Sequence, residues 1–202
     1  MLQTVSQEKL NVLTSNELFR ERLDEILQRR QRREQTSNWF QRTYTEPPFT
    51  QVVYFSMEFM LSDAPPIYSG GLGNVAGDQL KAASDLGIPI VGVGLLYLVG
   101  YFRQRIDAEG RQQALYPFND PGQLPIRPVR QANGEWLHIA LGLPGFRLWV
   151  RAWEVKAGRA KLYLLDTNEP ANLPKYRGIT SELYGGGPEL RISQEQVLGI
   201  GG

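Results

Sequence analysis

The pattern of apolar and polar residues predicts a helical beginning followed by a region of alternating strands and helices. Between Ser15 and about Gln35 the apolar residues recur at helical spacing, which predicts one helix with Ser15 as its N-cap. Its last part, RRQRREQ, is strongly basic; a solvated helix face is the favoured interpretation, and a contact for an acidic partner is the alternative. Residues 36–50 are polar, contain Pro47 and Pro48, and are predicted to form a linker.

Two apolar runs flank a second predicted helix. Gln51–Met57 is predicted to be a buried strand, and Pro89–Leu96, which is apolar throughout, has the composition of a parallel strand covered on both faces. Between them, Leu72–Leu86 has one apolar helical face, and Gly87 suits its C-cap. Strand, glycine-rich loop, helix and strand in this order predict a right-handed βαβ crossover.

The chain beyond Gly100 changes character and is predicted to be rich in β-strands. Asn133-Gly134 is typical of a tight turn between two of them. The predicted strands are Tyr101–Ile106, Trp136–Leu141, Phe146–Val155 and Lys161–Leu165, and a helix is predicted over Pro188–Ile200. We interpret the strands as a β-rich insertion or flank on an α/β core, so the predicted fold class is α/β, with a parallel sheet and flanking helices.

Composition and charge narrow the function classes. The 202 residues are 42% hydrophobic and 21% charged, which suits one large globular domain or one and a half small ones, and a net charge of +1 gives no reason to expect a nucleic-acid partner. The lack of cysteine excludes disulfides and thiolate metal sites, and the single histidine, His138, excludes a polyhistidine metal site. The longest apolar run, Ile88–Val99, is too short to span a membrane and no apolar signal segment precedes it, so we expect a cytoplasmic protein without a membrane partner.

The segment YSGGLGNVAGD, from Tyr68 to Asp78, is the most informative candidate site. Glycines at the start of a helix let the backbone approach a ligand, and the amide groups and helix dipole there favour an anion such as phosphate. A tight turn whose glycines serve only the backbone geometry is the alternative, and the residues alone leave both open.

A dinucleotide site is a competitor, because Gly71, Gly73 and Ala76 satisfy the pattern G-x-G-x-x-A. Two features disfavour it. The first glycine lies well beyond the preceding predicted strand, and the next strand ends without the acidic residue that would bind a ribose.

Other polar and aromatic residues have structural interpretations that we favour over functional ones. Glu58 follows a predicted strand and suits a capping or salt-bridged carboxylate. His138 suits an ordinary solvent-facing or hydrogen-bonded histidine rather than a catalyst. The remaining candidates are Arg103, Gln104 and Arg105 as the polar face of a strand rather than a sugar or phosphate site, Trp136, Trp149 and Trp153 as core rather than sugar-stacking residues, and Lys81 and Lys161, which lack the context of a cofactor lysine.

Three motifs, in their order and spacing, resemble the α-glucan (glycogen, starch and maltodextrin) phosphorylase family. They are YFSMEF at 54–59, GGLG at 70–73 and LLYLVGYFRQRI at 95–106. The longer forms IYSGGLG, AGDQLKAASDLG and LYGGGPELRISQEQVLGIGG resemble the shorter bacterial and archaeal branch of that family. The resemblance extends from about Val52 to Gly202.

The resemblance implies a GT-B fold, in which two Rossmann-like domains face each other across a cleft. Residues 51–202 then form an incomplete first domain, preceded by a helical segment and linker over residues 1–50. It also implies a glycosyltransferase that catalyses the reversible phosphorolysis of α-1,4-glucan to glucose 1-phosphate with pyridoxal phosphate as cofactor. The resemblance leaves open whether the protein forms a homodimer.

The resemblance also implies roles for individual residues. By motif match, the amides of Gly70 and Gly71 lie near the phosphates, and the Leu72 amide faces the glucosyl unit or a phosphate. Gly73 belongs to the same loop, and Glu58 lies near the sugar.

The chain departs from the family pattern in length and at one position. Family phosphorylases are several times longer, so the cofactor lysine is expected beyond residue 202. The glycine-rich end of the chain is typical of a truncation. The chain alone is therefore expected to be inactive. Related synthases that use nucleotide sugars have a K-x-G-G-L loop, and Tyr68 occupies the lysine position, which disfavours that alternative. A non-catalytic glucan-binding module is the third hypothesis.

Overall fold

The computed structural model describes residues 5–202, and its first two elements are helices. The predicted single helix is wrong in its beginning, because α1 (Gln7–Ser15) and α2 (Glu17–Gln35) are separate. The Asn16 side chain accepts a hydrogen bond from the Phe19 amide at 2.9 Å, so Asn16 is the N-cap of α2 and Ser15 ends α1. Asparagine caps helices as well as serine does, and its extended backbone here interrupts the helical path.

The predicted linker contains a short helix, α3 (Trp39–Thr43). Phe40 is buried, with ring centroids 5.2 Å from Tyr44 and 5.4 Å from Phe49, so aromatic packing folds this segment locally. The Gln41 side chain donates to the Gly87 carbonyl oxygen at 2.6 Å, and this hydrogen bond fixes α3 against the backbone at Gly87.

A mixed six-stranded sheet forms the centre of the molecule. Its strands are β1 (Val52–Phe55), β2 (Ile90–Leu95), β5 (Arg127–Pro128), β6 (His138–Leu143), β7 (Phe146–Ala157) and β8 (Ala160–Asp166), while β3 (Arg103–Ile106) and β4 (Gln112–Leu115) form a separate hairpin. In space the order is β1-β2-β8-β7-β5, with β6 also paired to β7. Strands β1, β2 and β8 run parallel, whereas β5, β6 and β8 pair with β7 in antiparallel fashion.

The predicted strand, helix and parallel strand are confirmed. Helix α4 (Gly71–Leu86) connects β1 to β2, and Gly87 ends it in the left-handed region with φ 76°. A side chain is strained at such a φ, so glycine is required there. The later helices are α5 (Pro174–Arg177) and α6 (Pro188–Gly201), the second as predicted, and a short 3-10 helix spans Pro121–Gln123.

Of the two predicted places for the later strands, an insertion or a flank on the core, the structure shows a flank for β6 and β7, while β8 belongs to the parallel part of the sheet itself. Strand β8 pairs in parallel with β2, and β7 and β6 continue the same sheet, so only β3 and β4 lie outside it. The tight turn at Gly158, with φ 62°, returns the chain antiparallel to β7 and brings β8 next to β2. The predicted turn at Asn133-Gly134 is confirmed, with Gly134 at φ 86°.

The two faces of the sheet carry different helices. Phe59 packs over Gly92 and Gly94 of β2, where an added Cβ would lie 3.3 and 3.1 Å from its ring, and α4 crosses the chain next to it, at Met60. Helix α6 lies on the opposite face, near Val93. The expected burial of β1 is wrong on this second face, where Val53 and Phe55 are exposed, because α6 packs mainly over β2, β6 and β8 and leaves the edge strand uncovered.

No helix within residues 5–202 combines the length and the apolar character needed to cross a bilayer.

Candidate functional site

The glycine-rich segment lies where the parallel strands end. Strand β1 ends at Phe55, and the chain then passes through Glu58 and a short loop before α4 begins at Gly71. Strands β1, β2 and β8 are parallel, so their carboxyl ends meet at this edge of the sheet. Ligands of open α/β sheets bind in the crevice outside this edge.

A buried carboxylate holds the loop that precedes α4. Glu58 is only 3% exposed, and its Oε2 accepts hydrogen bonds from the Ser69 amide at 2.6 Å and the Gly70 amide at 3.0 Å. Its Oε1 accepts a hydrogen bond from the Tyr184 hydroxyl at 2.5 Å. We call these four residues the Glu58 clamp. Three donors converge on one carboxylate, so the loop is fixed by charge-assisted hydrogen bonds.

The clamp keeps Glu58 ionised and Tyr184 protonated. Burial raises the pKa of the Glu58 carboxyl, but the hydrogen bonds from Tyr184, Ser69 and Gly70 outweigh burial and hold this pKa below its ordinary value. Burial, together with the hydrogen bond to Glu58 and the negative charge of Glu58, raises the pKa of Tyr184 to about 12. The phenol therefore remains a donor at neutral pH.

Close packing fixes the first turns of α4. A Cβ at Gly73 would lie 2.7 Å from Tyr68 Cβ and 3.1 Å from Glu58 Oε2, and one at Gly77 would lie 2.0 Å from the Met60 carbonyl oxygen. The Gly73 carbonyl oxygen also accepts from the Met60 amide at 2.8 Å. These glycines serve the close approach of the helix to the chain beneath it.

The start of α4 is exposed and has unpaired backbone amides among the described residues. Gly70 and Gly71 have no atom within 4 Å of an added Cβ, and Leu72 is half exposed. The Gly70 amide is used by Glu58, whereas the amides of Gly71 and Leu72 have no acceptor within residues 5–202. Partial positive charge at the start of this 16-residue helix adds to these two donors, so the position favours an anion.

The structure brings the five predicted site residues together. Gly70, Gly71 and Leu72 face solvent at the start of α4, Gly73 lies buried just behind them, and Glu58 lies beneath. Both Glu58 oxygens are occupied by the clamp, so the carboxylate can act on a ligand at the surface through the loop amides that it positions.

The other candidates lie elsewhere: Arg103 and Arg105 are exposed on β3, and most of the rest have partners of their own. The Gln104 side chain donates to Gln112 at 2.7 Å on the β3–β4 hairpin, and His138 Nε2 lies 3.1 Å from Glu169. The basic and aromatic candidates pair as follows: Lys81 with Asp78 at 3.6 Å, Lys161 with Glu154 at 3.2 Å, and Trp136 edge-on to Trp153 with centroids 5.4 Å apart.

Sequence reasoning missed Tyr184 as a member of the site. Its φ of 56° places a non-glycine residue in the left-handed region, at a cost of about 1–2 kcal/mol. This backbone conformation carries the phenol to Glu58, 126 residues earlier in the chain, and Arg191 lies 4.6 Å above the phenol ring. The only signal in the sequence is the run of glycines after Tyr184, which predicts a loop but no partner.

We expect Tyr184→Phe to destabilise the protein near neutral pH and to make its stability less dependent on pH. The lowered pKa of Glu58 gives stability that is present above the ordinary carboxyl pKa of 4.5 and is lost as pH falls through the lower folded value. Removing the phenol hydroxyl raises the folded pKa toward 4.5, so near pH 7 the variant loses about 1–1.5 kcal/mol, and its difference from the parent shrinks as pH falls and Glu58 becomes neutral in both proteins. Urea unfolding from pH 3 to pH 7 measures both effects.

The exposed Tyr116 provides a matched control, because it has no hydrogen-bond partner among the described residues. Tyr116→Phe should leave the acid profile unchanged. Coincident profiles for the two variants would show that Tyr184 does not support Glu58.

Fold and site together define an α/β protein in which a glycine-rich helix start, with two amides unpaired within residues 5–202, lies at the carboxyl edge of the parallel strands. A family model described as a protein of unknown function, DUF3417, matches residues 1–64. The maltodextrin phosphorylase of Thermococcus litoralis is 47% identical over 168 residues, which cover 82% of this chain and 20% of that protein. The glycogen phosphorylase of Mycobacterium tuberculosis is 48% identical over 155 residues, which cover 76% of this chain and 18% of that protein. The glycogen phosphorylase of Aquifex aeolicus is 41% identical over 162 residues, which cover 80% of this chain and 23% of that protein.

These relatives confirm the resemblance that the motifs carry: the chain belongs to the α-glucan phosphorylase family. It spans about a fifth of the length of the curated relatives it matches.

Proposed function

We propose that this chain supplies the N-terminal wall of an active-site cleft that catalyses the reversible phosphorolysis of α-1,4-glucan to glucose 1-phosphate. The observation that carries the proposal is the pair of free amides at Gly71 and Leu72, exposed at the carboxyl edge of the sheet and positioned by the Glu58 clamp. The names of the relatives, maltodextrin and glycogen phosphorylase, supply the substrate class. The proposal includes a GT-B arrangement in which residues 51–202 belong to the first domain.

In the proposed mechanism, the loop stabilises negative charge. An oxygen of hydrogen phosphate bonds to C1 of the terminal glucosyl unit as the α-1,4 glycosidic bond breaks, and the proton passes to the oxygen of the shortened glucan that leaves. Amides that already point into the cleft hold the phosphate oxygens without rearranging during the reaction. Glu58 is a positioning residue, because its oxygens fix the preceding turn and so aim the amides of Gly71 and Leu72.

The residues at the start of α4 fit a phosphate group, whether of substrate or of cofactor. Two amides without a partner within residues 5–202 and open space beside Gly70 and Gly71 can bind phosphate oxygens, and the negative charge of Glu58 lies beneath the loop with its oxygens turned to the clamp donors. Pyridoxal phosphate, when bound, supplies a phosphate for acid–base chemistry. We propose that this chain contributes amides to it, and that its covalent attachment lies outside this chain.

A chimera tests the proposal. The 168 residues of the Thermococcus litoralis relative that align with this chain are replaced by the residues of this chain, and glucose 1-phosphate release from maltodextrin and phosphate is measured. We expect the chimera to be active and the 202-residue chain alone, with pyridoxal phosphate added, to be inactive, because the cleft needs both walls. A folded but inactive chimera, or sustained turnover by the chain alone, would contradict this.

Two glycine variants of the chimera test the loop itself. Gly71→Ala adds a methyl group where the protein leaves open space and where the proposal puts the ligand, so we expect kcat/KM to fall about 100-fold without loss of stability. Gly199→Ala is the matched control, since Gly199 is also an exposed helical glycine with open space around it. Equal activity of the two variants would mean that the loop only shapes a bend.

A further inference from the structure

A cavity of about 930 Å³ lies far from the glycine-rich loop before α4. Its walls come from α2, from the C-terminal end of α4, and from the turn between β7 and β8. The start and end of the 16-residue α4 are separated by about 24 Å, so this cavity is distinct from the site described above. We call it the basic cavity.

Six basic and three acidic side chains line the basic cavity. The basic residues are Arg29, Arg30 and Arg33 of α2, Arg127 of β5, and Lys156 and Arg159 beside the β7–β8 turn. Because the whole chain carries a net charge of only +1, this excess of positive charge is local.

The acidic residues do not neutralise all of these cations. Glu34 pairs with Arg30 at 3.2 Å, and Glu154 is shared between Arg127 and Lys161, so neither carboxylate is left for another cation. Asp85 lies 3.8 Å from Arg33 in a loose, exposed pair. Such an exposed pair is weak.

Two cations are free and one serves the structure. Arg29 and Lys156 have no acidic partner within residues 5–202. Arg159 donates to the backbone carbonyl oxygens of Arg33 and Thr36, so it occupies the negative end of the α2 dipole and fixes α2 against the sheet.

The geometry of α2 directs its basic run into this cavity. Ile26, Arg29, Arg30 and Arg33 are spaced as one face of a helix, and all four line the cavity. For this part of RRQRREQ the interpretation as a simple solvated face is therefore incomplete. Ile26, Pro125 and Ile126 add an apolar side to the cavity wall.

We propose that the basic cavity binds a small polyanion that carries two or more phosphate groups. The volume suits a small-molecule ligand rather than a single phosphate ion, since ligand pockets typically measure about 300–1,000 Å³. The free cations belong to different elements, Arg29 to α2 and Lys156 to β7, so a ligand with separated phosphates can bind both. Guanidinium and ammonium groups form strong, charge-assisted hydrogen bonds with phosphate. Binding thereby links α2 to the sheet.

Calorimetric titration of the 202-residue chain with inorganic tripolyphosphate in 0.15 M salt, about physiological ionic strength, tests the proposal. We expect saturable binding that Arg29→Gln and Lys156→Gln each weaken about tenfold, the loss of one charge-assisted contact. Arg32→Gln is the matched control. Arg32 belongs to the same basic run but does not line the cavity, so its loss should change the affinity less than about twofold.

Hydrogen exchange gives a second readout. Tripolyphosphate should slow amide exchange in the C-terminal half of α2, because the ligand holds this helix against the sheet. Three results would overturn the proposal: no saturable binding, equal weakening by Arg32→Gln and Arg29→Gln, or citrate binding as tightly as tripolyphosphate. Equal weakening by the two arginine variants would indicate diffuse electrostatic attraction. Equally tight citrate binding would indicate that the cavity recognises negative charge in general rather than phosphate. None of these results bears on the proposed phosphorylase function.

Discussion

Replacing Glu58 by alanine is expected to reduce kcat/KM of the chimera by about 100-fold and to destabilise the chain by about 3 kcal/mol. The variant removes the carboxylate that accepts three hydrogen bonds, from the Ser69 and Gly70 amides and from the Tyr184 hydroxyl. The loop before α4 then loses the contacts that aim the next two amides, and a displacement of about 1 Å at such a site costs about two orders of magnitude in rate.

Glu58→Gln separates positioning from direct chemistry. A glutamine oxygen can accept from both amides, while its NH₂ group faces the Tyr184 hydroxyl, which is able to accept as well as donate. If Glu58 acts through the loop, Glu58→Gln keeps activity within about tenfold of the parent. If Glu58→Gln loses as much activity as Glu58→Ala while remaining folded, the charge of Glu58 acts on the ligand and the positioning role is wrong. Activity of the chimera and urea unfolding of the chain provide the two measurements.

Replacing Arg151 by methionine is expected to destabilise the chain by about 3–5 kcal/mol, the largest effect on stability that we predict. Arg151 lies 2.8 Å from the fully buried Asp166, and its guanidinium lies 4.8 Å above the Trp136 ring. Asp166 also accepts from the Trp153 indole at 3.1 Å and from the Asn168 amide at 2.8 Å. Without Arg151 these neutral donors remain, but the carboxylate is left as an uncompensated buried charge, and that cost dominates.

Two further variants make this prediction specific. Arg127→Met removes another arginine from the same sheet, but Arg127 is largely exposed and its partner Glu154 keeps Lys161, so the expected loss is below about 1 kcal/mol. Asp166→Asn in the Arg151→Met background removes the fully buried stranded charge and should recover part of the lost stability; Glu169, 3.4 Å from Arg151 in the parent, loses the same arginine but keeps His138 at 3.1 Å. Urea unfolding near pH 7 measures all of these variants. Similar losses for Arg151→Met and Arg127→Met, or no recovery in the double variant, would show that Asp166 does not depend on Arg151.

Local patterns in the sequence were sufficient for the elements that adjoin the site. The apolar run of β2, the helix that becomes α4 and its glycine cap at Gly87 all follow from spacing and from the conformational preferences of single residues. The motifs around Glu58 and Gly70 also identified the family, because several separated short segments agreed.

Predictions failed where competing local signals or long-range pairing decided the outcome. Ser15 and Asn16 are both good N-caps, and the sequence does not state which one caps α2. Strand β8 has the composition of any buried strand, so its place beside β2, rather than in an insertion, depends on a pairing about 70 residues apart in the chain.

The sequence by itself determined the family, the βαβ unit and the position of the glycine-rich helix start, because each of these depends on neighbouring residues in the chain. Only the tertiary structure decided what Glu58 binds, which loop amides stay free and that three of the four arginines in the basic run of α2 line a cavity. Those features depend on contacts across 126 residues between Glu58 and Tyr184, and across a similar separation between Arg33 and Arg159. No local spacing encodes such contacts, since they arise only when the sheet brings its distant strands and loops together.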